Sequence, residues 1–155
     1  MKTRLPALAA VFVLTAGLCS VLSAHCQIPC GIYDDPARFT AMREHVTTIR
    51  KSMRRIQGLS QAKQTNDNQL VRWVNNKEAH ADKLAEIVTA YFMAQRIKPT
   101  GVEDKTARAK YVEQITLLHE ILVSAMKTKQ TTDLAHCTTL DDRIGRFEQS
   151  YLGRK

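Results

Sequence analysis

Four stretches of the chain repeat apolar residues at helical spacing, and polar links separate them. In the first, about residues 36–57, Phe39, Met42, Val46, Ile49, Met53 and Ile56 recur at intervals of 3, 4, 3, 4 and 3. That rhythm draws one apolar seam down one face of a helix. Asp35 precedes Pro36, a capping residue before one suited to the first helical position, and Gly58 closes the segment. The second stretch, about 69–97, carries Leu70, Val74, Ala81, Leu84, Val88 and Tyr91, widened by Trp73, Ile87 and Phe92. Lys98-Pro99-Thr100-Gly101 breaks it. The third, about 103–127, uses Ala107, Tyr111, Ile115, Leu118, Leu122 and Ala125, and the fourth, about 133–151, uses Leu134, Cys137, Leu140, Ile144, Phe147 and Tyr151. The links at 60–68 and 128–132 are polar, and no segment has the two-residue alternation of a strand. The pattern predicts an all-α fold, an up-down-up-down four-helix bundle whose aromatic and Met positions are core. An extended coiled coil has the same seams, but the break at 98–101 and the short links favour the compact form.

The residues before the first seam belong to another class. Lys2 and Arg4 give a basic start, residues 7–22 are almost uninterruptedly apolar, and Leu22-Ser23-Ala24 ends in small residues. Residues 1–24 read as a secretory signal peptide, removed on export to a periplasmic or extracellular location. Read otherwise, the run is an uncleaved anchor, but it is short for a span, which takes about 20 apolar residues. A lipoprotein reading at Cys19 meets Leu18 where a small residue belongs. Taking residues 1–24 from the 155 leaves 131, one domain able to bury a core without disulfides.

Removing Lys2 and Arg4 lowers the net charge from +8 to +6. The cations are interspersed with acidic residues along the helices, and no nucleic-acid-binding motif accompanies them. The densest group, Arg50-Lys51 with Arg54-Arg55, reads as a solvated helix face. No nucleic-acid partner and no stable membrane association after cleavage are expected. Three cysteines remain, Cys26, Cys30 and Cys137, an odd number that argues against a plain disulfide framework. Cys137 sits alone in the fourth seam and reads as a small buried apolar residue.

Cys26 and Cys30 stand in the stretch His25-Cys26-Gln27-Ile28-Pro29-Cys30-Gly31-Ile32-Tyr33. Cleavage between Ala24 and His25 makes His25 the first residue, carrying both an α-amine and an imidazole. With the amide nitrogen of Cys26 and two sulfurs, five donor atoms then lie within six residues. Such nitrogen and thiolate donors favour Ni(II) or Cu(II) over Ca(II) or Mg(II).

His-Cys-x-x-Pro-Cys-Gly-x-Tyr at a mature N-terminus resembles the nickel hook of nickel-containing superoxide dismutases, and the four-seam pattern is similar to their four-helix subunit. The resemblance implies disproportionation of two superoxide anions and two protons to dioxygen and hydrogen peroxide, with one nickel ion per subunit cycling between Ni(II) and Ni(III). It implies Cys26 and Cys30 as thiolate ligands, His25 as amine and axial imidazole ligand, and a homohexamer. It places the Tyr33 hydroxyl near the vacant axial face, with Tyr91, in the pair Tyr91-Phe92, as a second tyrosine of the site. The family often has Asp where Gln27 stands, a change that leaves the donors intact. For the residues that orient the axial histidine, Glu44 and His80 are the nearest equivalents. His45 and His119 read as helix-packing or solvent-facing residues, and His136-Cys137 lacks a free amine.

Two other classes compete. A non-catalytic nickel or copper binding protein uses the same donors but needs neither Tyr33 nor a dedicated bundle. A thiol-disulfide protein is opposed by the three-residue gap between Cys26 and Cys30 and by the lack of a βαβ pattern.

Overall fold

The computed structural model describes residues 35–153, so the leader and the expected hook ligands lie outside the described residues. Four helices follow one another: α1 (Asp35–Ser60), α2 (Asp67–Glu86), which continues as a π-helical segment (Ile87–Arg96), α3 (Lys105–Gln130) and α4 (Ala135–Leu152). No strand occurs among the described residues. α1 packs on α2 and α4, and α3 packs on α2 and α4, the ring order of an up-down-up-down bundle. None of these helices is long and apolar enough to cross a membrane.

Local chemistry sets the boundaries. Asn66 caps α2, its side chain accepting from Gln69 N at 3.1 Å, and Asp104 caps α3, accepting from Ala107 N at 2.9 Å. Asp133 Oδ1 accepts from Ala135 N at 2.9 Å just ahead of α4. Gly153, at φ 65°, ends α4 in the left-handed conformation that glycine adopts without penalty.

Several expected details are corrected. α1 runs through Gly58 to Ser60, since a glycine in αR is a weak stop without a left-handed turn. Asp35 is the first residue of α1 rather than a residue preceding it. The second helix is not uniform, because its last ten residues are wound more widely. Its first turns also stand off the core, with Leu70, Trp73 and Val74 only half-buried and Lys77, Ala81 and Leu84 leading inward. On α3 the buried face is Gln114, Leu117, Leu118, Ile121, Ser124, Ala125 and Thr128, while Tyr111, Ile115 and Leu122 lie at its margin. Leu118 and Ala125 belong to both faces, and the buried face is centred about 70° from the expected seam.

The seams of α1 and α4 are as read: Phe39, Met42, Val46, Ile49, Met53 and Ile56 are buried, as are Cys137, Leu140, Ile144 and Phe147. Cys137 is a free, buried thiol 3.5 Å from Met53 Sδ, and burial pushes its pKa up. It is a core residue. Of the basic cluster, Arg50 is half-buried and bonds Asp141 on α4 at 2.6 Å, as Arg43 bonds Glu148 at 2.7 Å. Lys51, Arg54 and Arg55 are exposed.

Candidate functional site

The chain enters the described structure at Asp35, and the carboxylate of that residue is gripped from two other elements. Tyr91 Oη donates to Oδ1 at 2.6 Å. Arg96 Nη2 donates to Oδ2 at 2.6 Å, and Tyr151 Oη donates to the same oxygen at 2.8 Å. Arg96 Nε in turn donates to Tyr151 Oη at 3.3 Å. The start of α1, the π-helical segment and the end of α4 therefore meet in one polar knot.

An aromatic floor supports the knot. Phe92 packs 5.0 Å from Phe39, 4.9 Å from Phe147 and 5.4 Å from Tyr151, centroid to centroid. The Arg38 and Arg96 guanidiniums lie 5.0 and 5.8 Å from the Tyr91 ring centre, within cation–π range. Burial raises the Asp35 pKa, but the hydrogen bonds from Arg96, Tyr91 and Tyr151 outweigh it, and the net value lies below the ordinary 3.8. Burial and the bond to Asp35 push the Tyr91 phenol up to about 12, so it keeps its proton at neutral pH. Arg96 is held charged by Asp35 and Tyr151. Beside the knot opens a cavity of about 240 Å³ whose lining includes Arg96, Lys98, Lys110, Tyr111 and Tyr151.

The π winding is what brings Tyr91 and Arg96 to one carboxylate. Ile97 N bonds back to Phe92 O at 2.9 Å, a five-residue step, and Gln95 Nε2 reaches Ala90 O at 2.6 Å over the same interval. Thr89 Oγ1 bonds back to Ala85 O at 2.9 Å at the entry to the segment. Residues five apart fall about 140° apart around an α-helix. In a π-helix they are the hydrogen-bonded neighbours.

None of the other sequence-predicted residues within the described range joins the knot. His25, Cys26, Cys30 and Tyr33 are outside the described residues. Glu44 is exposed on α1. His80 faces His45, the two Nδ1 atoms 2.9 Å apart across the α1–α2 seam. At that distance one ring donates and the other accepts, so the contact holds a single proton. His119 is exposed and His136 half-buried. Among the described residues no group of three or more His, Cys, Asp or Glu side chains is arranged to hold a metal ion. Sequence reasoning missed Arg96 altogether and treated Asp35 and Tyr151 as a cap and a seam position. The pattern gave no signal for the knot, because Asp35 and Tyr151 meet only where α1 packs on α4, and Arg96 joins them from the π-helical segment.

Residues 20–155 match the family model of nickel-containing superoxide dismutase, a span that takes in the His25–Tyr33 stretch and all four helices. The chain belongs to that family. No match was found among curated proteins or among solved structures. As a nickel-containing superoxide dismutase it is an oxidoreductase that disproportionates superoxide and carries nickel as its cofactor, one ion per subunit. Membership decides for catalysis over a non-catalytic metal carrier.

Proposed function

We propose that the nickel centre of this superoxide dismutase is the mature N-terminus itself, created by cleavage between Ala24 and His25. One observation carries the reading: His25, Cys26 and Cys30 put an amine, an imidazole, an amide nitrogen and two thiolates within six residues, inside the span that matches the family. This donor set fits nickel, since thiolate and nitrogen donors suit a planar late-transition-metal site. Electron-rich thiolates also make the higher oxidation state reachable. Bound there, nickel would supply the Ni(II)/Ni(III) redox couple that superoxide disproportionation requires.

The chain's own residues have separate parts. The amine and imidazole of His25, the amide nitrogen of Cys26 and the sulfurs of Cys26 and Cys30 hold the ion. Tyr33, three residues after Cys30, offers a hydroxyl to substrate. Tyr91 is the second tyrosine of the site, its proton held on Oη and directed at Asp35, two residues along the chain from Tyr33. The cations around the cavity, Arg96, Lys98 and Lys110, favour the approach of an anion at this end of the bundle. Export by the leader and assembly into a homohexamer complete the proposal.

The test compares protein beginning at His25 with protein retaining Ala24. The first is expected to hold one nickel per subunit with full activity. The second, whose His25 amine has become an amide, is expected to lose activity and the thiolate–nickel absorption. Full nickel-dependent activity with Ala24 in place overturns the reading. Light scattering of the His25 form checks the hexamer.

A further inference from the structure

We propose that Asp35 is the positioning residue of the nickel hook, clamped by Tyr91, Arg96 and Tyr151, and that the π-helical winding of residues 87–96 is what assembles the clamp. The proposal rests on the reading of residues 25–33 as the hook.

The bonds to Asp35 are short and charge-assisted, at 2.6, 2.6 and 2.8 Å, and its side chain is only 16% exposed. Hydrogen bonds with an ionised partner are about twice as strong as neutral ones. The donors come from the π-helical segment and from α4, so the grip ties the first residue of α1 to both of its neighbouring helices. The aromatic floor of Phe39, Phe92, Phe147 and Tyr151 keeps those donors from moving independently.

Position along the chain gives this grip its consequence. Tyr33 is two residues from Asp35 and Cys30 is five. At about 3.5 Å per extended residue, two residues of chain span at most about 7 Å and five at most about 18 Å, so the tether between clamp and ligands is short. Fixing Asp35 therefore fixes the point from which the hook is tethered before any ligand bond forms. It lowers the entropy lost when the two thiolates and the amine converge on the ion. An α-helical continuation of α2 turns Arg96 about 140° from Tyr91 and leaves the carboxylate with fewer donors.

The experiment measures nickel release from the mature holoenzyme into excess chelator, followed by loss of thiolate–nickel absorption, with the thermal midpoint of each apo-protein beside it. Asp35→Ala and Arg96→Gln are each expected to speed release about tenfold, the effect of losing a charge-assisted bond. The double variant is expected to be little faster than the faster single, because both changes remove one shared grip. Release within about twofold of wild type in both singles overturns the clamp, whatever the apo midpoints do. If Asp35→Ala fails to fold, Tyr151→Phe removes a single hydroxyl from the carboxylate. It is expected to speed release about threefold, and unchanged release there overturns the clamp as well. Cys26→Ser separates this proposal from the hook. Wild-type thiolate–nickel absorption in Cys26→Ser overturns the hook, whereas altered absorption in Cys26→Ser with normal release from Asp35→Ala overturns the clamp alone.

Discussion

Lys77 Nζ, from the inner face of α2, donates to the carbonyl oxygen of Thr128 across 2.9 Å. The same ammonium bonds the carbonyl of Lys129, lies 3.4 Å from that of Thr131 and pairs with Glu78 at 3.2 Å. The last carbonyls of α3 have no partner within their own helix, and Lys77 satisfies them from its neighbour. The side chain is 4% exposed, so its stem is packed while its charge is used up on oxygen.

Lys77→Met keeps the stem and removes the ammonium, leaving those carbonyls open. It is expected to destabilise the apo-protein by about 2–3 kcal/mol, as for lost hydrogen bonds to a charged group. Urea unfolding at fixed protein concentration measures this as a lower midpoint with an unchanged slope. A midpoint equal to wild type would show that water serves the carbonyls equally well.

Tyr91→Phe removes only the hydroxyl aimed at Asp35 and leaves the ring against Arg38 and Arg96. Arg96 and Tyr151 still hold the carboxylate. The variant is expected to fold, to retain one nickel per subunit, and to lose about 1 kcal/mol of stability. Its turnover is expected to fall severalfold, while Cys30→Ser, which removes a ligand sulfur, is expected to abolish turnover. Metal content and pulse-radiolysis rates on the three proteins check the contrast, and normal turnover by Cys30→Ser would rule out the two-thiolate site.

The helices were legible because their seams are built from large apolar residues at regular spacing. α1 is the clearest case, with all six expected positions buried. On α3, Leu118 and Ala125 are buried as expected, but part of the inner face was missed because polar residues line it. Ser124 Oγ bonds Glu120 O at 2.7 Å and Thr128 Oγ1 bonds Ala125 O at 2.6 Å, which hides each hydroxyl inside its own helix. Gln114 Nε2 reaches Ser150 O on α4 at 3.3 Å. A rule that equates polar with exposed cannot see such residues. The site divides in the same way. The hook donors form a local motif that can be read in line, whereas the clamp joins Asp35, Tyr91, Arg96 and Tyr151 through a change of winding that composition does not announce.

The His45–His80 contact makes stability depend on pH. Burial holds both pKa values below the ordinary 6.5, reinforced by His80 and Lys83 at His45, where Glu44 opposes, and by Lys83 at His80. The unfolded chain therefore binds these protons more readily than the folded one. The pair's contribution is whole above about pH 6.5 and is lost as pH falls through that value toward the lower folded pKa values. Asp35, whose pKa is below 3.8, acts in a separate window: its contribution is whole above that value and lost at lower pH. The apo-protein's thermal midpoint is expected to drop between about pH 7 and 5, and His80→Gln to flatten that drop while leaving the one below about pH 4. A wild-type midpoint that is flat from about pH 7 to 5 would exclude a neutral pair.

Nickel removal tests how far the bundle stands alone. Its fully buried side chains include Phe39, Met42, Leu84, Phe92, Leu118, Ile121, Ile144 and Phe147, spread over all four helical elements, and none is a proposed ligand. Burial of such side chains is the main favourable contribution to folding, and it does not require the metal. The expected result is therefore unlike that of small metallo-domains, which are unfolded without their ion. Circular dichroism of the apo-protein is expected to retain most of the helical signal of the holo-protein. Protease is expected to cut faster only on the N-terminal side of Asp35, where the clamp ends and the hook begins. Loss of most helical signal with the metal would show instead that the seams are insufficient alone and that the subunits are held folded by nickel-ordered hooks packed between them.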